Sequence, residues 1–249
     1  MPETPYYLVV GRGRWASLIH RVLQSERRQV AVFGETRIGV GESVGEYQTR
    51  LAQAMESSGA SVAWLCLPFG SWIPTMSAAA MSSGLDVIAE CPWLCTPEVT
   101  ESLTSLEKKQ RRILSVHYEY CMLDEIGAWC KEFRNGSGCR FNGIFKINRP
   151  GRHGSVASLQ LGSHLLSMWR FGVPEATLGE IQCSYESADE RTVWLSRGEV
   201  TVSRIDFLAN TQPLIQRFIY AFEEGFHRRK AIFGLEFAKR IATEVRGLV

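Results

Sequence analysis

A glycine turn near the start of the chain, G-R-G-R-W-A at residues 11–16, most constrains how this sequence can fold. An apolar and aromatic run, Y-Y-L-V-V, precedes the turn, and residues 17–25 after it have the apolar spacing of a helix. Gly11 and Gly13 permit a tight turn and a close backbone approach, and Ala16 is small enough for the helix to lie against the strand. The pattern predicts strand, turn and helix, the first unit of a parallel α/β sheet.

The first 120 residues repeat this alternation of buried runs and helix-like segments. The runs that indicate strands are residues 6–11, 29–35, 61–68, 86–90 and 112–118. Thr96-Pro97 is a strong helix start, because a capping hydroxyl is followed by proline at the first helical position. We therefore predict a doubly wound parallel sheet of the Rossmann type over residues 1–120.

After residue 120 the pattern changes, and residues 121–249 are predicted to form a smaller C-terminal α+β domain with an open sheet. Helical segments are indicated at 122–134, 156–170, 212–223 and 231–247, and short strands at 141–148, 179–186, 192–196 and 199–207. Arg197-Gly198 lies between the last two runs and predicts a hairpin turn in an antiparallel arrangement.

Composition excludes several classes of protein. The 249 residues are 45% hydrophobic, enough for a substantial core, and 28 basic against 26 acidic residues are spread evenly along the chain. Nucleic acid is therefore not an expected partner. No apolar window is long enough to cross a membrane, and the first residues resemble a strand more than a secretory signal.

The seven cysteines are odd in number and include no C-x-x-C pair, which favours a reduced, cytoplasmic protein. Cys91 and Cys95 lie close together, but no nearby cysteine or histidine completes a ligand pattern, so no metal site is predicted. Cys91 itself is either a reactive thiol or an inert, half-buried group.

The glycine turn has the spacing of a dinucleotide-binding fingerprint. Backbone amides at Gly11 and Gly13, together with the adjoining Arg14 and Trp15, would bind a pyrophosphate at the start of the helix. Glu35 ends the second strand a little over 20 residues downstream, where a carboxylate can accept the ribose hydroxyls. The alternative is a Rossmann-shaped fold whose cofactor site has lapsed.

The residues after the second strand bear on the choice of nicotinamide cofactor. Glu35 would repel a 2′-phosphate, whereas Thr36 and Arg37 can bind one, and the guanidinium can also stack on adenine. We predict NADP(H), with NAD(H) as the alternative.

Four parts of the sequence resemble the family of glucose–fructose oxidoreductase, inositol dehydrogenase and the rhizopine-catabolism proteins, known as Gfo/Idh/MocA. They are V-V-G-R-G-R-W-A at 9–16, A-W-L-C-L-P with S-G-L-D-V-I-A-E-C-P within 63–92, L-G-S-H-L-L-S at 161–167, and F-I-Y-A-F-E-E-G at 218–225. The resemblance implies a Rossmann domain, a C-terminal open-sheet domain shortened in this chain, and an active site between them. It also implies that the C-terminal sheet forms oligomers.

This chain departs from the family at positions that carry chemistry. The family's strand-end motif is E-K-P, and here Cys91 stands in place of the lysine, between Glu90 and Pro92. The resemblance implies that Pro68, Glu90 and Cys91 border the cofactor, and Glu90 is expected to form structural hydrogen bonds. His164 is kept, but Gln160 and Ser167 occupy the positions of the family's acids.

One subgroup, the thiazolinyl imine reductases of siderophore assembly, resembles this chain in lacking the lysine. The segment V-H-Y-E-Y at 116–120 is similar to one in that subgroup, which implies that Tyr120 is a proton donor. His117 and His164 are further candidates for proton transfer.

Two functional hypotheses remain open. The first is an NAD(P)H-dependent reductase of a C=N or C=O bond in secondary-metabolite or siderophore biosynthesis, acting on a small-molecule or carrier-protein-bound substrate. The second is a catalytically inactive protein that serves as a binding or assembly partner of a biosynthetic enzyme. A homo-oligomer is compatible with both.

Overall fold

The computed structural model describes residues 4–34, 43–67, 72–134, 141–147, 157–172, 191–197, 205–206 and 211–246. A five-stranded parallel sheet, in the order β2-β1-β3-β4-β5, confirms the predicted doubly wound, Rossmann-like α/β fold. Its strands are β1 (Tyr7–Val10), β2 (Val30–Phe33), β3 (Val62–Leu65), β4 (Asp86–Glu90) and β5 (Leu114–His117).

Helices connect these strands and cover the sheet. They are α1 (Arg14–Ser25), α2 (Val44–Ser58), α3 (Trp72–Ser82) and α4 (Pro97–Gln110). The start of α4 is as predicted, because the Thr96 hydroxyl accepts a hydrogen bond from the Val99 amide and Pro97 occupies the first turn. Strands β1, β3, β4 and β5 are buried along their whole length, as expected for a sheet covered on both faces.

The C-terminal half contains further helices and a second, three-stranded sheet. Its elements are α5 (Asp124–Arg134), β6 (Phe141–Ile147), α6 (Ala157–Gly172), β7 (Arg191–Arg197), β8 (Ile205–Asp206), α7 (Thr211–His227) and α8 (Leu235–Arg246). A short 3₁₀ helix, Glu119–Met122, precedes α5. In the described part of the chain no helix is both long and apolar enough to cross a lipid bilayer.

The second sheet differs from the predicted antiparallel arrangement. Strand β7 is antiparallel to β6, a pairing that the sequence did not predict. Strand β8 pairs with β6 in parallel and not with β7, so the order is β7-β6-β8. The prediction for β8 was wrong because a local turn signal does not specify which strand a short segment will pair with. The predicted run 179–186 and the turn residue Gly198 lie outside the described residues.

The chain divides into two compact units, and the division differs from a single cut at residue 120. One unit contains Met1–His117 with Ile215–Lys239, and the other contains Tyr118–Leu214 with Arg240–Val249. The returning segment, 215–239, packs aromatic side chains into the first unit. The ring centroid of Phe218 lies 5.9 Å from the ring centroid of Trp64 and 4.4 Å from that of His117.

Polar contacts also attach the returning segment to the first sheet. Glu223 accepts hydrogen bonds from the Tyr7 hydroxyl at 3.0 Å and from Arg28 at 2.7 Å. Burial, and next the charge and hydrogen bond of Glu223, raise the pKa of Tyr7 well above its usual value. Further along, Arg229 pairs with the fully buried Asp86 at 2.7 Å.

Candidate functional site

The glycine turn lies where the sheet changes direction. Because β3 follows β2 in the chain but pairs with β1, the carboxyl ends of β1 and β3 form the topological switch point, where doubly wound sheets bind ligands. A Cβ on Gly11 would lie 2.7 Å from the Cys66 carbonyl oxygen, which directly follows β3. Only glycine therefore fits between these two strand ends.

The start of α1, directly after this turn, is open. Gly13 is the N-cap residue, no side chain caps the helix, and its first turn contains no acid. A Cβ on Gly13 would meet nothing within 4 Å, and Arg12 and Arg14 are exposed. Backbone donors, a positive helix terminus and two guanidinium groups are the donor set that suits a pyrophosphate.

Trp15 borders the same turn. Its indole N–H is buried and has no acceptor among the described residues. Its ring centroid lies 6.0 Å from that of His117, at the end of β5. The predicted cofactor residues Gly11, Gly13 and Trp15 and the predicted catalytic residue His117 are thus within one unit and close to the switch point.

Glu90 and His117 form a buried pair at the ends of β4 and β5. The two residues are register partners in the sheet, and His117 Nδ1 lies 3.2 Å from Glu90 Oε1. The Trp64 indole N–H donates a hydrogen bond of 2.7 Å to the same oxygen, and the role predicted for Glu90 beside the cofactor stays a prediction. His117 is 0% exposed, so its ring is held by the carboxylate and by aromatic neighbours rather than by solvent.

Two cysteines directly follow strands of the first sheet, Cys66 after β3 and Cys91 after β4. Burial, and then the nearby charge of Glu90, raise the pKa of the Cys66 thiol well above its usual value, which disfavours a thiolate. Cys91 is half-buried after β4. None of the five cysteines in the described ranges, 66, 91, 95, 121 and 130, forms a disulfide.

Two other predicted catalytic residues meet in the second unit. The ring centroids of Tyr120 and His164 lie 4.8 Å apart with an interplanar angle of 83°, an edge-to-face contact. Tyr120 belongs to the 3₁₀ helix and His164 to α6. Within α6, the Ser167 hydroxyl donates a hydrogen bond of 2.7 Å to the His164 carbonyl oxygen. Tyr120 is 0% and His164 9% exposed.

Sequence reasoning missed Glu119 beside this pair. The residue is 2% exposed, and one of its carboxylate oxygens lies within 4.8 Å of a ring nitrogen of His164. The available signal was an acid within V-H-Y-E-Y, next to the tyrosine proposed as a donor. Proximity to a histidine 45 positions later was not visible in the sequence.

Part of the predicted cofactor site lies outside the described residues. This applies to Glu35, Thr36, Arg37 and Pro68, and the roles predicted for them stay predictions.

No protein-family model matches the chain, and neither does any curated protein sequence. Solved structures do match. A scyllo-inositol dehydrogenase from Lactobacillus casei, with bound NAD(H) and scyllo-inositol, superposes with a TM-score of 0.72 at 11% identity, covering 99% of this chain and 96% of that chain. The WlbA dehydrogenase from Thermus thermophilus, in complex with NAD and α-ketoglutarate, gives 0.69 at 14% identity, covering 98% and 96%.

An oxidoreductase from Pseudomonas syringae is similar at 20% identity with a TM-score of 0.58, over 79% of this chain and 65% of that one. This chain therefore spans just under two thirds of that protein. At these identities the likeness is one of fold: the chain has the Rossmann-like α/β architecture of these dehydrogenases and oxidoreductases.

Proposed function

We propose that this protein is a nicotinamide-dependent reductase. The observation that carries the proposal is the glycine turn at the switch point, with Gly11 fitted between two strand ends and open space above Gly13 at the uncapped start of α1. The turn amides, with Arg14 and Trp15, would bind the pyrophosphate. Glu35, Thr36 and Arg37 would contact the adenosine ribose, with a preference for NADP(H) over NAD(H).

The proposed reaction is reduction of a C=N bond of the thiazolinyl imine type, or of a C=O bond. When bound, the cofactor would supply the hydride, with Pro68, Glu90 and Cys91 bordering it. Cys91 has no fixed positive charge, so alcohol chemistry that needs a lysine at this position is disfavoured. The adjacent Tyr120 and His164 side chains would deliver the proton to the reduced atom.

The proposed substrate is a small molecule or a carrier-protein-bound intermediate of secondary-metabolite or siderophore biosynthesis. We further propose a cytoplasmic protein, in keeping with five described thiols outside any disulfide, and a homo-oligomer.

Cofactor binding is tested by a matched pair of glycine variants. Gly13→Ala places a methyl group in open space beside the turn and is expected to weaken NADPH binding about tenfold or more, because the pyrophosphate can no longer approach the backbone. Gly127→Ala, in α5, also points into open space and should leave binding unchanged. Binding is measured by titration with NADPH and NADH. The proposal fails if the unmodified protein binds neither nucleotide at millimolar concentration.

Proton delivery is tested at Tyr120 and His164. Tyr120→Phe and His164→Gln are each expected to lower the rate of NADPH oxidation about 100-fold, the size of a lost acid catalyst, without changing the affinity for NADPH. Turnover is followed with thiazoline-type cyclic imines and with simple ketones as acceptors. Equal rates in both variants and the unmodified protein would exclude these residues as proton donors.

The second candidate is an inactive binding or assembly partner of a biosynthetic enzyme. It is favoured by the missing lysine at Cys91 and by Gln160 and Ser167 in place of acids around His164. NADPH binding without turnover of any acceptor would support it, and turnover that depends on Tyr120 or His164 would exclude it.

A further inference from the structure

The helix that carries His164 provides no carboxylate of its own. Helix α6 reads A-S-L-Q-L-G-S-H-L-L-S-M-W-R-F-G and contains no aspartate or glutamate. Its one cation, Arg170, is buried and bound to Glu244 at 2.8 Å and 2.9 Å, so that ion pair is already formed within α6 and α8. A carboxylate that influences His164 must therefore come from a different part of the fold.

The 3₁₀ helix supplies that carboxylate. Glu119 is buried, and an oxygen of its side chain lies within 4.8 Å of a nitrogen of the His164 ring. The next residue, Tyr120, packs its ring edge-to-face against the same imidazole. A single turn of chain thus brings a carboxylate and a phenol to one histidine.

Other titratable groups face this cluster from the surrounding elements. Cys121, on the 3₁₀ helix, and Cys130, on α5, are buried thiols. Burial raises the pKa of Cys121 strongly; a hydrogen bond from Ser167 opposes this, and the charges of Glu119 and Cys130 add to it. Among the described residues of this cluster, Glu119 is the side chain that places a carboxylate next to His164.

We propose that Glu119 is a positioning residue that orients the His164 ring and favours its protonated form, the form in which His164 can donate a proton. The role of Glu119 in catalysis rests on the proposed function, whereas its proximity to His164 does not depend on that function. A carboxylate a few ångströms from an imidazole stabilises the imidazolium ion and can fix which ring nitrogen carries the proton. Tyr120 then limits the rotation of the ring by packing against it.

The test is a titration of the His164 imidazole by NMR, recorded without cofactor. The protein has five histidines, and the His164 signal is assigned by its loss in His164→Gln. Glu119→Gln is expected to move the midpoint of the His164 titration about one unit toward lower pH, because the imidazolium loses its counter-charge. Glu119→Asp keeps the charge and should retain most of the shift. Glu125→Gln, on the exposed side of α5, is the matched control and should change nothing.

The same variants are then compared by the pH profile of turnover. A proton donor is lost as pH rises, so the alkaline limb of the Glu119→Gln profile should move in the same direction as the NMR midpoint. An unchanged His164 midpoint in a folded Glu119→Gln or Glu119→Ala variant would overturn the proposal. If the midpoint moves but the protein neither binds NADPH nor turns over, the contact is real and the reductase function is wrong.

Discussion

Replacing Arg28 with methionine is expected to lower the free energy of unfolding by about 3 kcal/mol, the usual cost of breaking a largely buried ion pair. Arg28 binds both carboxylate oxygens of Glu223 at 2.7 Å, with side-chain exposures of 17% and 12%. Without the guanidinium, the Glu223 carboxylate would remain mostly buried. It would keep the hydrogen bond from the Tyr7 hydroxyl but lose both hydrogen bonds from Arg28. Urea denaturation measures the loss.

Two further variants separate the ion pair from the simple loss of an arginine. Arg21→Met removes an exposed arginine from α1 and should change stability by no more than about 0.5 kcal/mol. The double variant Arg28→Met with Glu223→Gln should recover part of the loss, because it removes the uncompensated buried charge. A double variant as unstable as Arg28→Met alone would show that charge is not the cause.

Gly11→Ala is expected to cost about 2 to 3 kcal/mol of folding stability, within the range for overpacking a core. The added methyl would lie 2.7 Å from the Cys66 carbonyl oxygen and 2.8 Å from its Cβ. These atoms cannot easily move, because the Cys66 amide donates a 2.8 Å hydrogen bond to the Val10 carbonyl between β1 and β3. Thermal and urea unfolding measure the effect.

The two glycines of the turn should therefore give different results. Gly11→Ala should lose stability and nucleotide binding together, whereas Gly13→Ala should lose binding while keeping a melting temperature near that of the unmodified protein. A stable Gly11→Ala variant would mean that β1 and β3 are not held as closely at this point as the geometry requires.

The sequence was sufficient to predict elements whose signals are local. The hydroxyl and proline of Thr96-Pro97 act within one turn, and the buried runs of β1 and β3 need no knowledge of their neighbours. The return of residues 215–239 to the first unit was not predictable in the same way. It depends on contacts such as Phe218 with Trp64, which join positions more than 150 residues apart.

In the candidate site, too, the residues with a local signal were predictable and those that depend on long-range contacts were not. Gly11 and Gly13 were predictable because spacing within one turn defines their role. The pairing of Glu90 with His117 required the sheet order, since only adjacent parallel strands bring their carboxyl ends together. The proximity of Glu119 to His164 required the packing of a 3₁₀ helix on α6, which no periodicity encodes.

The returning segment also has a consequence for biosynthesis. When residues 1–117 have left the ribosome, all five strands of the first sheet are available, but the aromatic and charged groups that pack on Trp64, Tyr7 and Asp86 are still untranslated. The first unit can complete its core only after residue 239 has emerged. Between the emergence of residue 117 and that of residue 239, a nascent chain therefore leaves this apolar surface uncovered, and uncovered apolar surface is what makes partly synthesised chains prone to aggregate.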